Sequence, residues 1–306
     1  MTDRSDLLIL GAGVAGLSAA VHAARLGLSV RVLDPLGPGG QVMNAGPLEG
    51  VPGLPKGMIG ADLIGRLTDQ VVDREVDVAF GEVVEVVLEG GFEVRTDADS
   101  YEASAVISAL GTRPRPMGVP GEAELEGRGL SHCAQCDGDL FRDKDVIVVG
   151  GGDAALIAAA HLAGRARNVT MVHRGSAFEG AKELVVGATS APNVDVLWGT
   201  DVLALIGEEL LTGVMVSLNG EEQQVEADGI FPEIGRLPQN DALAHLVELD
   251  DAGRIVVDSS MATSHPGVFA AGACRAGDFG EIITSMADGV AAAIAAGAWL
   301  STTQTG

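Results

Sequence analysis

The sequence predicts an α/β fold of two Rossmann-like, three-layer nucleotide-binding domains, and three observations carry that prediction. A strand-like run, a glycine turn and a helix-like run follow one another twice, first from Leu7 and again from Asp145. Strand-patterned segments lie between the two copies, and helix-period patterning returns near the end of the chain. Its 306 residues, 47% of them apolar, are enough to fill two compact lobes.

The first copy runs from Leu7-Leu8-Ile9-Leu10 into Gly11-Ala12-Gly13-Val14-Ala15-Gly16 and an Ala-rich helix reaching Leu26 and Gly27. A second strand, Ser29 to Leu33, ends at Asp34. Strand, G-x-G-x-x-G, helix and an acidic residue ~20 positions on together form a dinucleotide-binding unit. The glycines allow a tight turn and close approach of a pyrophosphate to unpaired N–H groups at the helix start. Asp34 is then the acceptor for a ribose hydroxyl.

Strand patterns follow at Val76 to Phe80, Val83 to Leu88 and Phe92 to Thr96, with Gly90-Gly91 as a hairpin turn. Pro114, Pro116 and Pro120 mark residues 111–120 as a connector between domains. The second copy is the strand Asp145 to Val149, the turn Gly150-Gly151-Gly152-Asp153-Ala154-Ala155, a helix from Leu156 to Ala163, and the strand Asn168 to Val172. It ends at His173-Arg174, the motif there best placed to touch a nucleotide. The last helix pattern covers Glu281 to Trp299.

The net charge of −24, from 43 acidic and 19 basic residues, opposes a polyphosphate partner and argues against nucleic acid. Only Lys56, Lys144 and Lys182 supply lysine. No basic flank followed by a long apolar stretch opens the chain, and the weakly polar run around Val290 to Leu300 is short of the ~20 residues of a membrane span. A soluble, cytoplasmic protein is expected. Three cysteines make no disulfide framework, but Cys133 and Cys136 form a C-x-x-C pair. Redox chemistry is preferred to a zinc site because no second ligand pair exists. A structural turn with two buried thiols is the plainer alternative. Cys274 is expected to pack as a small hydrophobe. His22 and His161 are expected to pack or cap on helix faces, and His132 to be solvated or packed, although a protonated His132 would favour the neighbouring thiolate.

At Cys133-Ala134-Gln135-Cys136-Asp137-Gly138, just before the second strand–turn–helix unit, the sequence resembles the low-molecular-weight thioredoxin reductases of bacteria. Further pieces agree in order through nearly the whole chain. They are Gly39-Gly40-Gln41, Pro52-Gly53, Ala109-Leu110-Gly111-Thr112, Gly127-Arg128-Gly129, Gly235-Arg236-Leu237-Pro238 and Pro266-Gly267-Val268-Phe269-Ala270-Ala271-Gly272. The resemblance implies an FAD domain made of residues 1–116 and 242–306, with a pyridine-nucleotide-type domain, 117–241, inserted into it. It also implies a homodimer and a thioredoxin-like or small disulfide or dithiol substrate. Carried over by position, Cys136 faces the flavin, Cys133 attacks the partner disulfide, and Asp137 is the acid/base. Gly11, Gly13, Ala15, Gly16, Asp34, Gly40, Gln41, Gly111, Gly272, Ala273, Glu281 and Ile282 fall at the FAD. Gly150, Gly152, Asp153, Ala154, His173 and Arg174 fall at the second nucleotide site.

The sequence departs from this pattern at both nucleotides. The family ends its second-site strand with His-Arg-Arg and adds a third arginine four residues on. Here Gly175 and Glu179 stand in place of the second and third arginines, which disfavours the 2′-phosphate of NADPH and leaves the choice between NADPH and NADH open. Arg165 or Arg167 would have to rebuild the clamp. At the flavin, Ala273 replaces a carboxylate, and Gly280-Glu281-Ile282 replaces Arg-Gln-Ala. An ionised Glu281 near the ring would lower the flavin potential. Three rivals remain: a flavin dithiol oxidase using oxygen, a ferredoxin-dependent thioredoxin reductase docking at Arg113, Arg115 and Arg128, and a non-catalytic flavin redox sensor. Relatives with oxidase chemistry carry Cys-His where this chain has Cys136-Asp137, which favours the reductase.

Overall fold

The computed structural model describes residues 4–48, 51–88 and 90–303. The chain forms two units, Met1–Arg113 with Leu237–Gly306, and Pro114–Arg236. The crossings at 113/114 and 236/237 compare with 116/117 and 241/242 from the sequence.

In the first unit, β1 (Ser5–Leu10), α1 (Val14–Arg25) and β2 (Val30–Asp34) form the opening βαβ unit. Next comes α2 (Gly60–Val72), whose Leu63, Ile64, Leu67 and Val71 make one buried stripe, and whose Asp62 accepts the Ile59 N–H at its start. The strands β3 (Asp77–Phe80), β4 (Val83–Leu88), β5 (Phe92–Thr96), β6 (Ser100–Ser108) and β7 (Thr112–Pro114) follow. The sheet order is β3-β2-β1-β6-β5-β4, parallel from β3 to β6 and antiparallel across β6-β5-β4. The side-chain period of two divides β1 between two cores. Leu7 and Ile9 pack with α1 and α2, whereas Leu8 and Leu10 pack with Val86, Phe92, Val94 and Leu243.

In the second unit, α3 (Glu122–Leu125) and the single-turn α4 (Ala134–Asp137) precede β8 (Asp145–Val149), α5 (Asp153–Ala163) and β9 (Asn168–His173). Then come α6 (Lys182–Thr189), β10 (Val194–Trp198), β11 (Thr200–Gly207), β12 (Leu211–Leu218), β13 (Glu221–Glu226) and β14 (Gly229–Pro232). A parallel sheet, β10-β9-β8-β14, carries the helices on one face and the antiparallel sheet β11-β12-β13 on the other. Val146 and Val148 point to the helix layer, and Ile147 to the β11–β13 layer.

The chain re-enters the first unit through β15 (Arg236–Pro238) and adds β16 (Val268–Ala270) beside β6 before ending in α7 (Ile282–Thr303). At 22 residues, α7 is longer than the sequence pattern gave and is long and apolar enough to cross a membrane. It is packed along one face. Ala292, Ala293, Ala296 and Leu300 are buried with α1, and at Gly289 the helices approach so closely that a Cβ would lie 2.1 Å from the Ala15 carbonyl oxygen.

Candidate functional site

In the first unit, the turn Gly11 to Gly16 is fixed by close backbone approach. A Cβ on Gly11, at φ +103°, would lie 2.4 Å from the Ala109 carbonyl oxygen, and one on Gly16 would meet the Gly11 oxygen. Gly13 differs: its nearest neighbour is the Gly40 Cα at 4.0 Å, so the turn keeps an open groove above it. No side chain caps α1, and its first turn carries no acid. An open groove, uncapped N–H groups and a helix dipole together fit the pyrophosphate of a dinucleotide. Asp34 accepts the Ala12 N–H at 2.8 Å and the Leu36 N–H at 2.9 Å, which fixes its carboxylate at the turn with lone pairs to spare for a ribose hydroxyl. Gln41 donates to the Thr112 hydroxyl at 2.8 Å, and Gly111, at φ +67°, faces it.

The loop after β16 holds a feature that sequence reasoning missed. Arg275 and Asp288 form a buried bidentate ion pair at 2.7 and 2.8 Å, and Asp288 also accepts the Gly272 N–H at 3.1 Å. Removing one partner of such a pair typically costs about 3–5 kcal/mol. Asp288 of α7 thus holds the loop on which Ala273 stands through the Gly272 N–H and Arg275. An acid in the middle of an Ala-rich helix was the available signal. Ala273 and Ile282 are half-buried, and Glu281 is exposed. Cys274 is fully buried against Ser108 and the Ala271 carbonyl, and burial pushes its thiol above the usual range.

In the second unit, Cys133 and Cys136 are joined by a disulfide, with Cα atoms 5.3 Å apart. Cys133 sits at the start of α4, where its sulfur accepts the Cys136 N–H at 3.1 Å. That hydrogen bond would stabilise a thiolate on Cys133 once the pair is reduced. The Cys136 residue is exposed and Cys133 half-buried. Asp137 accepts a 2.6 Å hydrogen bond from the Ser131 hydroxyl, and Ser131 in turn accepts the Cys133 N–H at 3.1 Å. His132 lies 3.3 Å from Glu126. Among the described residues no group of three or more His, Cys, Asp or Glu side chains could hold a metal.

The second glycine turn opens on a cleft of about 740 Å³ that lies wholly within this unit. Gly150, Gly152, His173 and Arg174 line it, whereas Asp153 and Ala154 begin α5 beside it. The Asp153 carboxylate accepts the Ala181 N–H at 2.7 Å, and the Glu179 N–H reaches the Gly151 carbonyl at 2.9 Å, so residues 175–181 fold back across the turn. His173 is buried, with its ring 6.0 Å from Phe178 and 5.9 Å from Trp198 and Nε2 at 3.0 Å from the Ala177 carbonyl. Its ring explains Gly175: a Cβ there would stand 2.7 Å from Nε2. Two guanidinium groups, Arg115 and Arg174, face three carboxylates, Glu179, Asp201 and Glu233, around the cleft. Arg165 pairs with Asp139 at 3.2 Å and Arg167 with Asp145, and neither lines the cleft. Burial pushes the Glu233 carboxyl up to about 6, partly opposed by Arg236.

Residues 5–297 match the family described as pyridine nucleotide-disulphide oxidoreductase. The chain is 37% identical to the thioredoxin reductase of Treponema pallidum over 302 residues, which span 98% of each chain. Among solved structures, the thioredoxin reductase of T. acidophilum superposes with a TM-score of 0.87 at 36% identity, covering 96% of this chain and 98% of that one. That of Lactococcus lactis gives 0.91 at 30% identity, covering 97% and 99%. The chain therefore belongs to the pyridine nucleotide-disulphide oxidoreductase family. Within it, the likeness is to the low-molecular-weight thioredoxin reductases, and the chain is a flavin-dependent disulfide oxidoreductase.

Proposed function

We propose that this chain binds FAD in its first unit and reduces the disulfide of a thioredoxin-like protein through Cys133 and Cys136, as a soluble cytoplasmic homodimer. The observation that carries this reading is the Cys133–Cys136 disulfide, followed directly in the chain by Asp137, whose carboxyl is hydrogen-bonded to Ser131. Gly11, Gly13, Gly16 and Gly40 would hold the pyrophosphate of FAD, and Asp34 its ribose. When bound, FAD supplies the two electrons that reopen the Cys133–Cys136 bond. The N–H bond to its sulfur suits Cys133 as the thiolate that attacks the partner disulfide, and Cys136 then closes on it. The greater exposure of Cys136 favours the opposite order. Single serine variants separate the two.

The electron donor in this reading is a nicotinamide nucleotide held in the second unit, with NADPH disfavoured. Three carboxylates outnumber two guanidinium groups in the cleft, and the arginines proposed as substitutes are engaged elsewhere. Ferredoxin is the rival donor, and Arg113 of the patch suggested for it already pairs with Asp241 at 3.6 Å. An anaerobic titration of the purified protein with NADPH, NADH and reduced ferredoxin tests the donor. Micromolar NADPH is expected to leave most of the flavin oxidised. Rapid stoichiometric reduction by NADPH would overturn the donor assignment, and reduction by ferredoxin alone would select the rival.

Two further outcomes are expected. Gly13 has φ −77°, open to any residue, so Gly13→Val fills the groove without straining the backbone. The variant should be recovered folded but colourless, with FAD affinity reduced at least ~100-fold, about 2.7 kcal/mol. Visible flavin absorbance measures this, and full flavin content would remove FAD from this groove. At the second cleft, Glu233 gains its charge as pH rises through about 6. Binding of NAD⁺, whose pyrophosphate does not titrate in this range, should weaken by roughly threefold to tenfold from pH 5.5 to 7.5. Glu233→Gln should flatten that dependence in isothermal titration.

A further inference from the structure

We propose that Ser131 is a positioning residue for proton transfer at the redox pair, holding the Asp137 carboxylate and the Cys133 backbone in one hydrogen-bonded frame. The inference rests on the redox roles proposed above for Cys133, Cys136 and Asp137. Ser131 is 7% exposed, and its own N–H is fixed to the Ile230 carbonyl of β14 at 3.0 Å. Its hydroxyl therefore projects from a residue tied to the parallel sheet. The Oγ–H donates to Asp137 Oδ2 at 2.6 Å, while Oγ accepts the Cys133 N–H at 3.1 Å. Asp137 N–H returns to the Cys133 carbonyl at 3.0 Å and closes the ring. The carboxylate is thereby held in register with the disulfide loop, and Ser131 links both to a rigid strand.

The chemistry needs such a fixed proton carrier. The reduced pair begins as a Cys133 thiolate and a Cys136 thiol. The Cys133 sulfur bonds to one partner sulfur, the partner S–S bond breaks, and the expelled thiolate takes a proton. Cys136 then gives up its proton and attacks Cys133, which reforms the intrachain disulfide and releases the second partner sulfur as a thiolate that in turn takes up a proton. In balance, the pair is oxidised by two electrons and the partner reduced by two. One of the two protons gained by the partner comes from Cys136 and the other from solvent. Asp137 is the carrier between sulfur atoms, and a carboxylate free to rotate would transfer protons at a poor angle. Proton delivery matters most when the leaving thiolate is basic, because an acidic thiol leaves readily without it.

That dependence gives the test. Chemically reduced holoenzyme is mixed anaerobically with bis(2-hydroxyethyl) disulfide, whose leaving thiolate is basic, or with dithiobis(nitrobenzoate), whose leaving thiolate is not. Ser131→Ala is expected to slow the aliphatic disulfide about tenfold and the aromatic one less than about twofold. Ser131→Thr should restore the aliphatic rate, and Ser131→Ala combined with Asp137→Asn should be no slower than Asp137→Asn alone. Equal slowing of both disulfides, an unchanged aliphatic rate, or additive effects in the double variant would overturn the proposal. If Asp137→Asn discriminates between the disulfides and Ser131→Ala does not, only the role of Ser131 falls. If Asp137→Asn does not discriminate either, the acid/base reading of Asp137 falls with it.

Discussion

Cys136→Ser is expected to abolish disulfide turnover, lowering it by ~10³-fold or more, because the second displacement then has no sulfur to close the ring. Cys133→Ser should be as inactive toward the partner, for a different reason. It leaves one thiol, Cys136, that the proposed order places beside the flavin and out of reach of the partner. A long-wavelength charge-transfer band should therefore appear in Cys133→Ser and not in Cys136→Ser. Should the band appear only in Cys136→Ser, the two cysteines exchange roles, as the greater exposure of Cys136 would favour. Full turnover by both variants would make the disulfide structural. Anaerobic spectra and a disulfide reduction assay on the same preparations distinguish these outcomes.

Glu179→Arg is expected to raise the affinity for NADPH by at least tenfold, about 1.4 kcal/mol, because it turns a carboxylate at the rim of the cleft into a phosphate ligand. The affinity for NADH should change by much less, since it lacks the 2′-phosphate. Gly175→Arg, the other change suggested by the family pattern, should add little. Its Cβ would press on the buried His173 ring, which is packed against Phe178 and Trp198, so the substitution should lower the thermal midpoint. Equilibrium binding of both nucleotides to the three proteins checks this. An equal gain for NADH and NADPH would mean that Glu179 acts on the pyrophosphate or on the cleft as a whole.

The contrast between Gly175 and Glu179 shows where sequence reading stops. Both departures are visible as letters, but only the packing of His173 shows that Gly175 is required by a neighbour, whereas Glu179 is exposed and replaceable. The first glycine turn, by contrast, is legible almost completely. The tight approach of Gly16 to Gly11 and the anchoring of Asp34 on Ala12 follow from a local motif of about 25 residues with its own strand, turn and helix, whereas the crowding of Gly11 by the Ala109 carbonyl and the seat of Gly13 opposite Gly40 come from segments outside it.

By itself the sequence determined the two βαβ units, the strands at β1, β2, β3, β4, β5, β8 and β9, the long final helix and the C-x-x-C pair. These are encoded by periodicity and by glycine and cysteine spacing within short windows. It did not yield the β11–β13 layer, the Arg275–Asp288 pair behind Gly272, or Ser131 beneath Asp137. Each of these depends on groups meeting in space. The period-two alternation of β8 says that two faces are covered, but only the fold shows helices on one and a second sheet on the other. A buried ion pair and a half-buried hydroxyl–carboxylate bond leave almost no trace in composition, because their value comes from desolvation and geometry that exist only once the chain has closed around them.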